Sequence, residues 1–430
     1  MGIKKELYEI SRKGSLNTLS IAMYRLSMLL LYILAGNSME TGVFAYATSI
    51  MTLVITFQML GTSGISNTFN RYTSKYINDI ESLKQYHSPL IIILLSLMLI
   101  LVIFMNGLII VTTDGVFSKI DLHTQVMLSV FLLFTVFSSG IKGIFYAYQR
   151  FKSLLISSLF SSFFLIFSYV IFLNYSNLQP LFSLLGSVII GATCEFLVLI
   201  YMSKTLLKFD QKLCFKADTL KELAAFALPS SLSSLIVAPV NVYLVDFVSQ
   251  KSNDEGLATF NILIQIRNMI IFAPSAFASI ALSSISQASN FLKEIRALCG
   301  FLFVAIVVTF IVTSVLMFFS KDVFSLYGIN PISDPFVLFM LVTASSFLSV
   351  GSLFLGQYLT AKSKTKLGLY LNCIWALVIY IYLQIYVEPN TILHVLNGLI
   401  VSYSILLVLL IIAAIRIFHY EKNRHRNNMV

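Results

Sequence analysis

Five ionisable side chains lie inside stretches of the sequence that are otherwise apolar and long enough to cross a lipid bilayer. They are Arg25, Lys142, Glu195, Asp246 and Arg267. Arg25 and Arg267 each lie about ten residues from the predicted outer end of a stretch, which places them about 15 Å deep. A guanidinium at that depth costs at least about 2.5 kcal/mol unless water, a counter-ion or a ligand compensates its charge.

Two kinds of compensation are open for these deep arginines. In the first, Glu195 or Asp246 pairs with one of them inside a rigid helix bundle. In the second, Arg25 and Arg267 belong to different halves of the chain, lie at matched depth and bind an anion between them. Arginine suits phosphate because its planar fork forms bidentate hydrogen bonds and stays protonated. The second hypothesis predicts a site for an anion, phosphate especially, at Arg25 and Arg267.

The residues around Arg267 favour a polar cavity. In "FNILIQIRNMIIFAP" the polar residues Asn261, Gln265 and Asn268 recur at helical spacing beside Arg267 and before the helix-bending Pro274. These three are candidate cavity residues. The alternative, hydrogen bonding between packed helices, suits each of them equally well.

The elements that must position these residues are membrane-spanning helices. Of the 430 residues 58% are hydrophobic and 11% are charged, and the apolar residues fall in runs of about twenty. The predicted spans are 16–35, 42–66, 89–112, 124–147, 153–173, 180–203, 223–249, 257–283, 297–319, 336–360, 367–387 and 392–415. The sequence therefore predicts an all-α integral membrane protein with twelve transmembrane helices.

The distribution of basic residues predicts the orientation of these helices. Of 29 Lys and Arg residues, 23 fall in the tails and gaps on the side of the N-terminus, and Lys119, Lys251 and Lys321 fall on the other side. Because basic residues accumulate on the cytoplasmic side, both termini are predicted to be cytoplasmic. This bias accounts for most of the net charge of +10, so a nucleic-acid partner is not expected.

Nothing else in the sequence indicates catalysis or metal binding. The four cysteines, at 194, 214, 299 and 373, show no pairing or metal-ligand spacing. No cluster of nucleophile, base and orienting group is visible. We therefore expect no catalytic residue, no metal and no cofactor.

An internal repeat with an offset of 214 residues divides the chain. It places "METGVFAYA" (residues 39–47) on "NDEGLATFN" (253–261), and "AYQRFK" (147–152) on "AKSKTK" (361–366). Each half has six spans, so the halves are parallel repeats that enter the membrane from the same side. We predict two six-helix lobes, residues 1–209 and 210–430, that rock around a central cavity as in a transporter.

Asp246 and Glu195 are candidates for coupling such transport to an ion, because carboxylates inside the membrane are rare and often mark ion pathways. Asp246 follows Pro239, and a helix broken by proline is best tolerated beside a polar cavity. Lys142 lies about five residues from the cytoplasmic end of its span and is expected to reach the interface. The sequence does not distinguish among a proton, sodium and the membrane potential as the energy source.

These features together resemble the multidrug/oligosaccharidyl-lipid/polysaccharide exporter superfamily. The resemblance covers nearly the whole chain and depends on the two lobes, Arg25 in the first span, Arg267 in the eighth, the "GVFAYATSI" entry to the second span and the basic "AYQRFK" gap. Within the superfamily the chain resembles the polysaccharide repeat-unit (O-antigen) flippases.

The resemblance implies a V-shaped, alternating-access carrier in the bacterial cytoplasmic membrane. Its expected substrate is an undecaprenyl-pyrophosphate-linked oligosaccharide, moved from the inner to the outer leaflet, and its expected partners are a polysaccharide polymerase and the chain-length machinery. Related peptidoglycan-precursor flippases have cavity arginines in the first and eighth spans, which Arg25 and Arg267 match. Those proteins usually have two further helices, which this sequence lacks.

Two other functions remain as alternatives. Multidrug exporters of the same superfamily take up cationic drugs and tend to have a carboxylate in the first span, where this chain has Arg25. A cationic cavity repels cationic substrates. A polysaccharide polymerase or ligase of the same pathway would tend to have a long outer loop with catalytic arginines, and no predicted outer gap contains an arginine.

Overall fold

The protein folds almost entirely into α-helices. The computed structural model describes residues 2–60, 65–76, 79–111, 115–175, 179–204, 217–287, 291–329, 331, 333–385 and 390–427, and this part of the chain contains no β-strand. The helices are α1 (Gly2–Ser38), α2 (Thr41–Leu60), α3 (Asn67–Lys75), α4 (Ile80–Val111), α5 (Leu122–Ala147), α6 (Phe151–Tyr175), α7 (Pro180–Ser203), α8 (Ala217–Leu235), α9 (Val237–Lys251), α10 (Asp254–Gln287), α11 (Phe291–Phe318), α12 (Ser320–Leu326), α13 (Pro335–Ala361), α14 (Thr365–Ile385) and α15 (Thr391–Asn427).

Twelve helical segments in the described residues are long and apolar enough to cross a membrane, which confirms the predicted number. They cover residues 15–38, 41–58, 89–111, 122–147, 151–174, 180–203, 218–251, 254–282, 292–318, 335–361, 365–385 and 391–419. The protein is therefore a multi-pass membrane protein. The described part of the second span ends at Leu60, the last residue of α2, because residues 61–64 lie outside the described part.

The seventh span consists of two helices with a break at Ile236. Pro239 has no N–H to donate, and its ring clashes with the carbonyl of the residue four positions earlier, Leu235. Leu235 is the last residue of α8. Pro274 interrupts the same hydrogen-bond pattern inside α10, yet α10 continues through it.

Contacts within the chain group it into two compact units. The first comprises Met1–Ile262 and Lys321–Ile332, and the second comprises Leu263–Ser320 and Ser333–Val430. The lobes predicted from the internal repeat, 1–209 and 210–430, follow a different criterion and stay a prediction.

The first unit is centred on α1, α5, α6 and α7, and α6 packs most extensively on α7 and α1. Small hydroxyl residues occupy the α1–α6 interface: Ser20 Oγ lies 2.8 Å from Ser158 Oγ, and Ser27 Oγ donates to Ser162 Oγ at 3.2 Å. Small polar residues let helix backbones approach closely and link them in an apolar medium. The face of α1 that carries these serines is thereby held against α6.

The second unit is centred on α13 and α15, with α14 packed on α15 and α11 on α13. Its core includes Ala278 of α10 and Val350 and Phe354 of α13, all at most 1% exposed. In contrast, α11 leaves Phe303 and Phe310 more than 60% exposed, as suits a helix that faces lipid.

Two turns that are 214 residues apart, the offset of the internal repeat, have the same backbone conformation. Gln149 after α5 and Ser363 after α13 both have positive φ, 55° and 58°, and their positions differ by the 214-residue offset of the repeat. In each turn the following N–H bonds the carbonyl five residues back, Arg150 N to Phe145 O at 2.9 Å and Lys364 N to Leu359 O at 2.8 Å. Both turns are Schellman motifs, the common helix ending with one left-handed residue.

Candidate functional site

Arg267 is buried in the second unit without an ionic partner. It lies on α10 and is 8% exposed, and no described carboxylate lies within 4 Å of it. Its guanidinium carbon lies 4.8 Å from the ring centre of Tyr403 on α15. That ring lies 5.3 Å from the ring of Trp375 on α14, tilted by 47°. An arginine, a tyrosine and a tryptophan from three helices thus form one stack.

The unpaired atoms of Arg267 define its chemistry. Nε and Nη2 have no hydrogen-bond acceptor among the described residues. In the planar guanidinium, the Nε–H and one Nη2–H point in the same direction and form one edge of the fork. That edge fits the two oxygens of a carboxylate or phosphate. The edge matches an oxyanion in geometry, and because both nitrogens are buried, an oxyanion reaches them only when the surrounding helices part.

Arg25 lies in the first unit, whereas Arg267 lies in the second. Arg25 is half-buried on α1, within electrostatic range of the phenols of Tyr24 and Tyr32. No described carboxylate lies within 4 Å of its guanidinium. The ion-pair alternative for Arg25 and Arg267 therefore has no support in the described residues.

Glu195 pairs with a residue that the sequence analysis assigned to the interface. Its Oε1 lies 2.7 Å from Nζ of Lys142, and Glu195 is 3% exposed. The expectation that Lys142 reaches the cytoplasmic interface was wrong, because α5 and α7 pack with this carboxylate facing it. Tyr24 and Tyr146 lie within electrostatic range of Glu195. The role of Glu195 in ion coupling stays a prediction.

Asp246 lies near the predicted outer end of the seventh span, on α9. Its Oδ2 accepts a hydrogen bond from Gln250 Nε2 at 2.9 Å. Gly115, with φ of 86°, lies so close that a Cβ there would be 1.7 Å from Asp246 Oδ1. A cavity of about 520 Å³ adjoins this contact, and Tyr46, Lys119, Gln250 and Asp254 are among its lining residues. The carboxylate therefore lies beside a polar cavity, and its coupling role stays a prediction.

The three candidate cavity residues on α10 have different environments. Asn261, 1% exposed, donates through Nδ2 to Ser49 Oγ at 2.9 Å and Thr48 Oγ1 at 3.1 Å, which links α10 to α2. Gln265 is 8% exposed, and its Oε1 has no donor among the described residues. Asn268 is half-buried. Asn261 therefore forms the hydrogen bonds between packed helices that are the alternative to a place in a cavity.

Tyr403 and Trp375 were not singled out from the sequence. Each lies in an apolar span with ordinary aromatic neighbours, so its sequence context does not separate it from packing residues. The one available signal was that Trp375 is the only tryptophan of the chain. Cys214, among the cysteines discussed above, lies outside the described residues, and Cys194, Cys299 and Cys373 are free thiols.

A second cluster outside the predicted site lies where α3, α4 and α8 meet. Arg71 lies over the ring of Phe226, and the Tyr86 hydroxyl donates to Glu222 Oε2 at 3.0 Å. Burial and the negative charge of Glu222 raise the pKa of Tyr72 to about 12. The contacts join the start of α8 to the preceding helices.

No protein-family model matches the chain, and no curated protein matches it in sequence. Solved structures do match. A multidrug resistance MATE family transporter of the MOP superfamily, in an outward-facing conformation, has a TM-score of 0.74 at 16% identity, with 96% of each chain covered. A MATE in complex with MaL6 has a TM-score of 0.73 at 16% identity, again with 96% of each chain covered.

A third match is a MOP superfamily transporter from Pyrococcus furiosus, with a TM-score of 0.75 at 16% identity and coverage of 94% of this chain and 95% of that chain. The reverse polarity of its binding pocket is said to suggest a different function. The chain thus has the fold of MATE transporters.

Proposed function

We propose that this protein is an alternating-access carrier whose substrate is anionic. The observation that carries the proposal is Arg267, a buried arginine whose Nε and Nη2 have no acceptor among the described residues. Keeping such a charge in a membrane protein is unfavourable unless an anion compensates it during function. The first span, residues 15–38, contains Arg25 and no Asp or Glu, which also favours an anion over a cation.

The substrate we propose is an undecaprenyl-pyrophosphate-linked oligosaccharide, moved from the inner to the outer leaflet of the bacterial cytoplasmic membrane with both termini on the cytoplasmic side. The pyrophosphate supplies the oxyanion that a guanidinium edge binds. The fold comparison supports a carrier in general, and the reverse polarity described for the binding pocket of the Pyrococcus furiosus protein supports a substrate other than that of the multidrug transporters. A polymerase and chain-length machinery are the partners that such a product requires.

Transport into proteoliposomes tests the proposal. We expect the purified protein to flip a fluorescent undecaprenyl-pyrophosphate oligosaccharide, and Arg267→Ala and Arg25→Ala each to lose most of this activity at equal protein incorporation. Arg25→Lys and Arg267→Lys should keep part of it, because an ammonium keeps the charge and loses the fork. Full activity of both alanine variants would refute the anionic site.

Multidrug efflux is the second candidate, and the solved structures support it more directly, because two of the matches above are MATE transporters and one is named for multidrug resistance. The same vesicles separate the two functions. Export of a cationic dye that survives Arg267→Ala, without flipping of the lipid-linked oligosaccharide, would establish the second candidate and exclude the first. The basis for preferring the first is the positive charge of Arg25 and Arg267, which repels cations.

A further inference from the structure

We propose that the second unit contains an oxyanion-binding site in which Arg267 is the ligand-binding group and Tyr403, supported by Trp375, is its positioning residue. The inference deepens the proposed function and rests on it for the identity of the substrate. It differs from a site that needs both arginines, because every group it uses lies in one unit.

The contact between Arg267 and Tyr403 does not use the edge of the guanidinium that carries the unpaired Nε–H and Nη2–H, and this edge is buried, so the ligand would reach it as the carrier opens. In a cation–π contact the positive charge of the guanidinium lies over the face of the aromatic ring. Hydrogen bonds to an oxyanion, in contrast, lie in the plane of the guanidinium. At 4.8 Å the ring of Tyr403 is within the range of such a contact. Tyr403 can therefore hold Arg267 in place without consuming the Nε–H and Nη2–H donors.

Trp375 in turn supports Tyr403. It is 2% exposed and belongs to the buried face of α14, together with Leu371 and Ile379. Its tilted contact with Tyr403, at 5.3 Å between ring centres, is a favourable aromatic geometry. Its indole N–H has no acceptor among the residues that the structure describes. The stack thus combines two unpaired donor groups, and it has no described carboxylate within 4 Å of the arginine.

A purely structural stack is the competing explanation. A cation–π contact stabilises a buried arginine even without a ligand. It does not account for two unpaired donors on the same edge of the fork, since a buried guanidinium normally satisfies its N–H groups. The oxyanion site explains the aromatic stack and the unpaired edge together.

The ligand is a phosphate group. It can come from three sources: the pyrophosphate of a lipid-linked substrate, the phosphate of a membrane lipid, and free phosphate. All present adjacent oxygens to one guanidinium edge. The experiment below distinguishes them.

The single tryptophan of the chain makes the site measurable in the intact protein. We would titrate the purified full-length protein, in neutral detergent at constant ionic strength, with inorganic pyrophosphate, orthophosphate and chloride, and follow Trp375 fluorescence and the heat of binding. We expect saturable binding of pyrophosphate, weaker binding of orthophosphate and none of chloride. Absence of saturable pyrophosphate binding in both measurements would overturn the proposal.

Four variants separate the roles. Arg267→Gln should abolish pyrophosphate binding, and Arg267→Lys should weaken it about tenfold, because an ammonium keeps the charge but loses the second, parallel bond of the fork. Tyr403→Phe keeps the ring and should bind normally, whereas Tyr403→Leu should bind about fivefold more weakly. Arg296→Gln removes the same charge at an exposed position and is the matched control. Equal binding by wild type and Tyr403→Leu would refute the positioning role, and equal binding by Arg267→Gln would refute the site.

A folding defect would be detected by gel filtration and thermal unfolding. If Tyr403→Leu does not fold, Trp375→Phe replaces it as the test variant, and its binding is measured by calorimetry. Trp375→Phe retains the ring of Tyr403 and should weaken pyrophosphate binding. Normal pyrophosphate binding by a folded Trp375→Phe would overturn the supporting role of the indole.

The source of the phosphate is resolved in nanodiscs. Phosphatidylglycerol that competes with pyrophosphate would identify lipid phosphate as a ligand, and phosphatidylcholine is the control headgroup for charge. Lack of competition would assign the site to the pyrophosphate of the substrate. If the protein binds pyrophosphate but does not flip the lipid-linked oligosaccharide, the proposed function is refuted and the oxyanion site stands. If it flips the oligosaccharide but does not bind pyrophosphate, the oxyanion site is refuted and the proposed function stands.

Discussion

Buried charges in this protein are compensated in two different ways. Lys142 and Glu195 neutralise each other across α5 and α7 at 2.7 Å. Arg267 has no described carboxylate within 4 Å, and the ring of Tyr403 lies 4.8 Å from its guanidinium carbon. A buried pair is complete in itself, and removal of one member strands the other charge. An arginine held by an aromatic face keeps its hydrogen-bond donors for a ligand.

The pair makes a prediction about stability. Glu195→Gln and Lys142→Met should each lower the free energy of unfolding by about 3 kcal/mol, because each leaves an uncompensated charge, while Lys142→Met with Glu195→Leu should recover most of the loss. Thermal unfolding of the purified variants in one detergent measures the effect. Additive losses in the double variant would show that the two residues do not act as a pair.

Ion coupling makes a separate prediction at the same residues. If Glu195 or Asp246 binds the coupling proton, Glu195→Gln or Asp246→Asn should remove the dependence of transport on the pH gradient, because the amide cannot exchange a proton, and pyrophosphate binding should persist. Initial transport rates in proteoliposomes with and without a gradient measure this. Wild-type gradient dependence in both variants would exclude both carboxylates.

The helices and turns show which features of the fold depend on local sequence. The number of spans follows from hydropathy and was predictable, and the break at Ile236 lies where Pro239 removes a helical hydrogen bond, although α10 continues through Pro274. The contacts of Lys142 with Glu195 and of Arg267 with Tyr403 depend on how separate helices rotate against one another. Hydropathy along a single helix does not carry this information, which is why the partner of Lys142 was missed and Tyr403 was overlooked.

The two Schellman turns give a prediction with an internal control. Gln149 and Ser363 have left-handed backbones, which are unfavourable for residues with a Cβ. Gln149→Gly and Ser363→Gly should therefore each stabilise the protein, by up to about 1 kcal/mol. The preceding residues, Tyr148 and Lys362, have φ of −80° and −83°.

Glycine at these preceding positions should destabilise by at least about 0.5 kcal/mol, because it adds freedom to the unfolded chain and, at Lys362, also removes the ion pair with Glu294. Thermal unfolding compares the four single variants. The same sign of change at all four would contradict the backbone explanation.

The contact between α2 and α10 permits a crosslink. A Cβ at Gly42 would lie 3.6 Å from Cγ of Asp254, which is about where a cysteine sulfur at 254 would lie. In a background without native cysteines, Gly42→Cys with Asp254→Cys should form a disulfide and stop transport until it is reduced, because alternating access requires helices to separate. Gly42→Cys alone is the control, and full transport by the oxidised double variant would show that these helices stay together throughout the cycle.

At the scale of the whole molecule, twelve spans and the basic residues on one side define the predicted topology. The number of spans is confirmed, and the assignment of sides stays a prediction. Residues 177 and 212, which would be natural labelling positions in two of the gaps, lie outside the described residues. Lys119 and Lys364 are exposed and lie at the two predicted sides.

We expect Lys119→Cys, in the cysteine-free background, to react in intact cells with an impermeant thiol reagent, and Lys364→Cys to react only after permeabilisation. The reason is that membrane proteins keep most basic residues of their short loops on the cytoplasmic side. Mass labelling of the purified protein measures the reaction. The reverse pattern would invert the assignment of both termini.

The matched turns after α5 and α13 have a consequence for the origin of the chain. Their sequences, "AYQRFK" and "AKSKTK", share few residues, yet the same left-handed residue and the same backbone hydrogen bonds recur 214 positions apart. Gene duplication followed by divergence would leave such a match, with the backbone geometry of the turn retained and its side chains changed. A six-helix ancestor has an even number of crossings, so tandem fusion of two copies required no inversion of either half. The search for that ancestor should look for a six-span protein with this turn after its fourth helix.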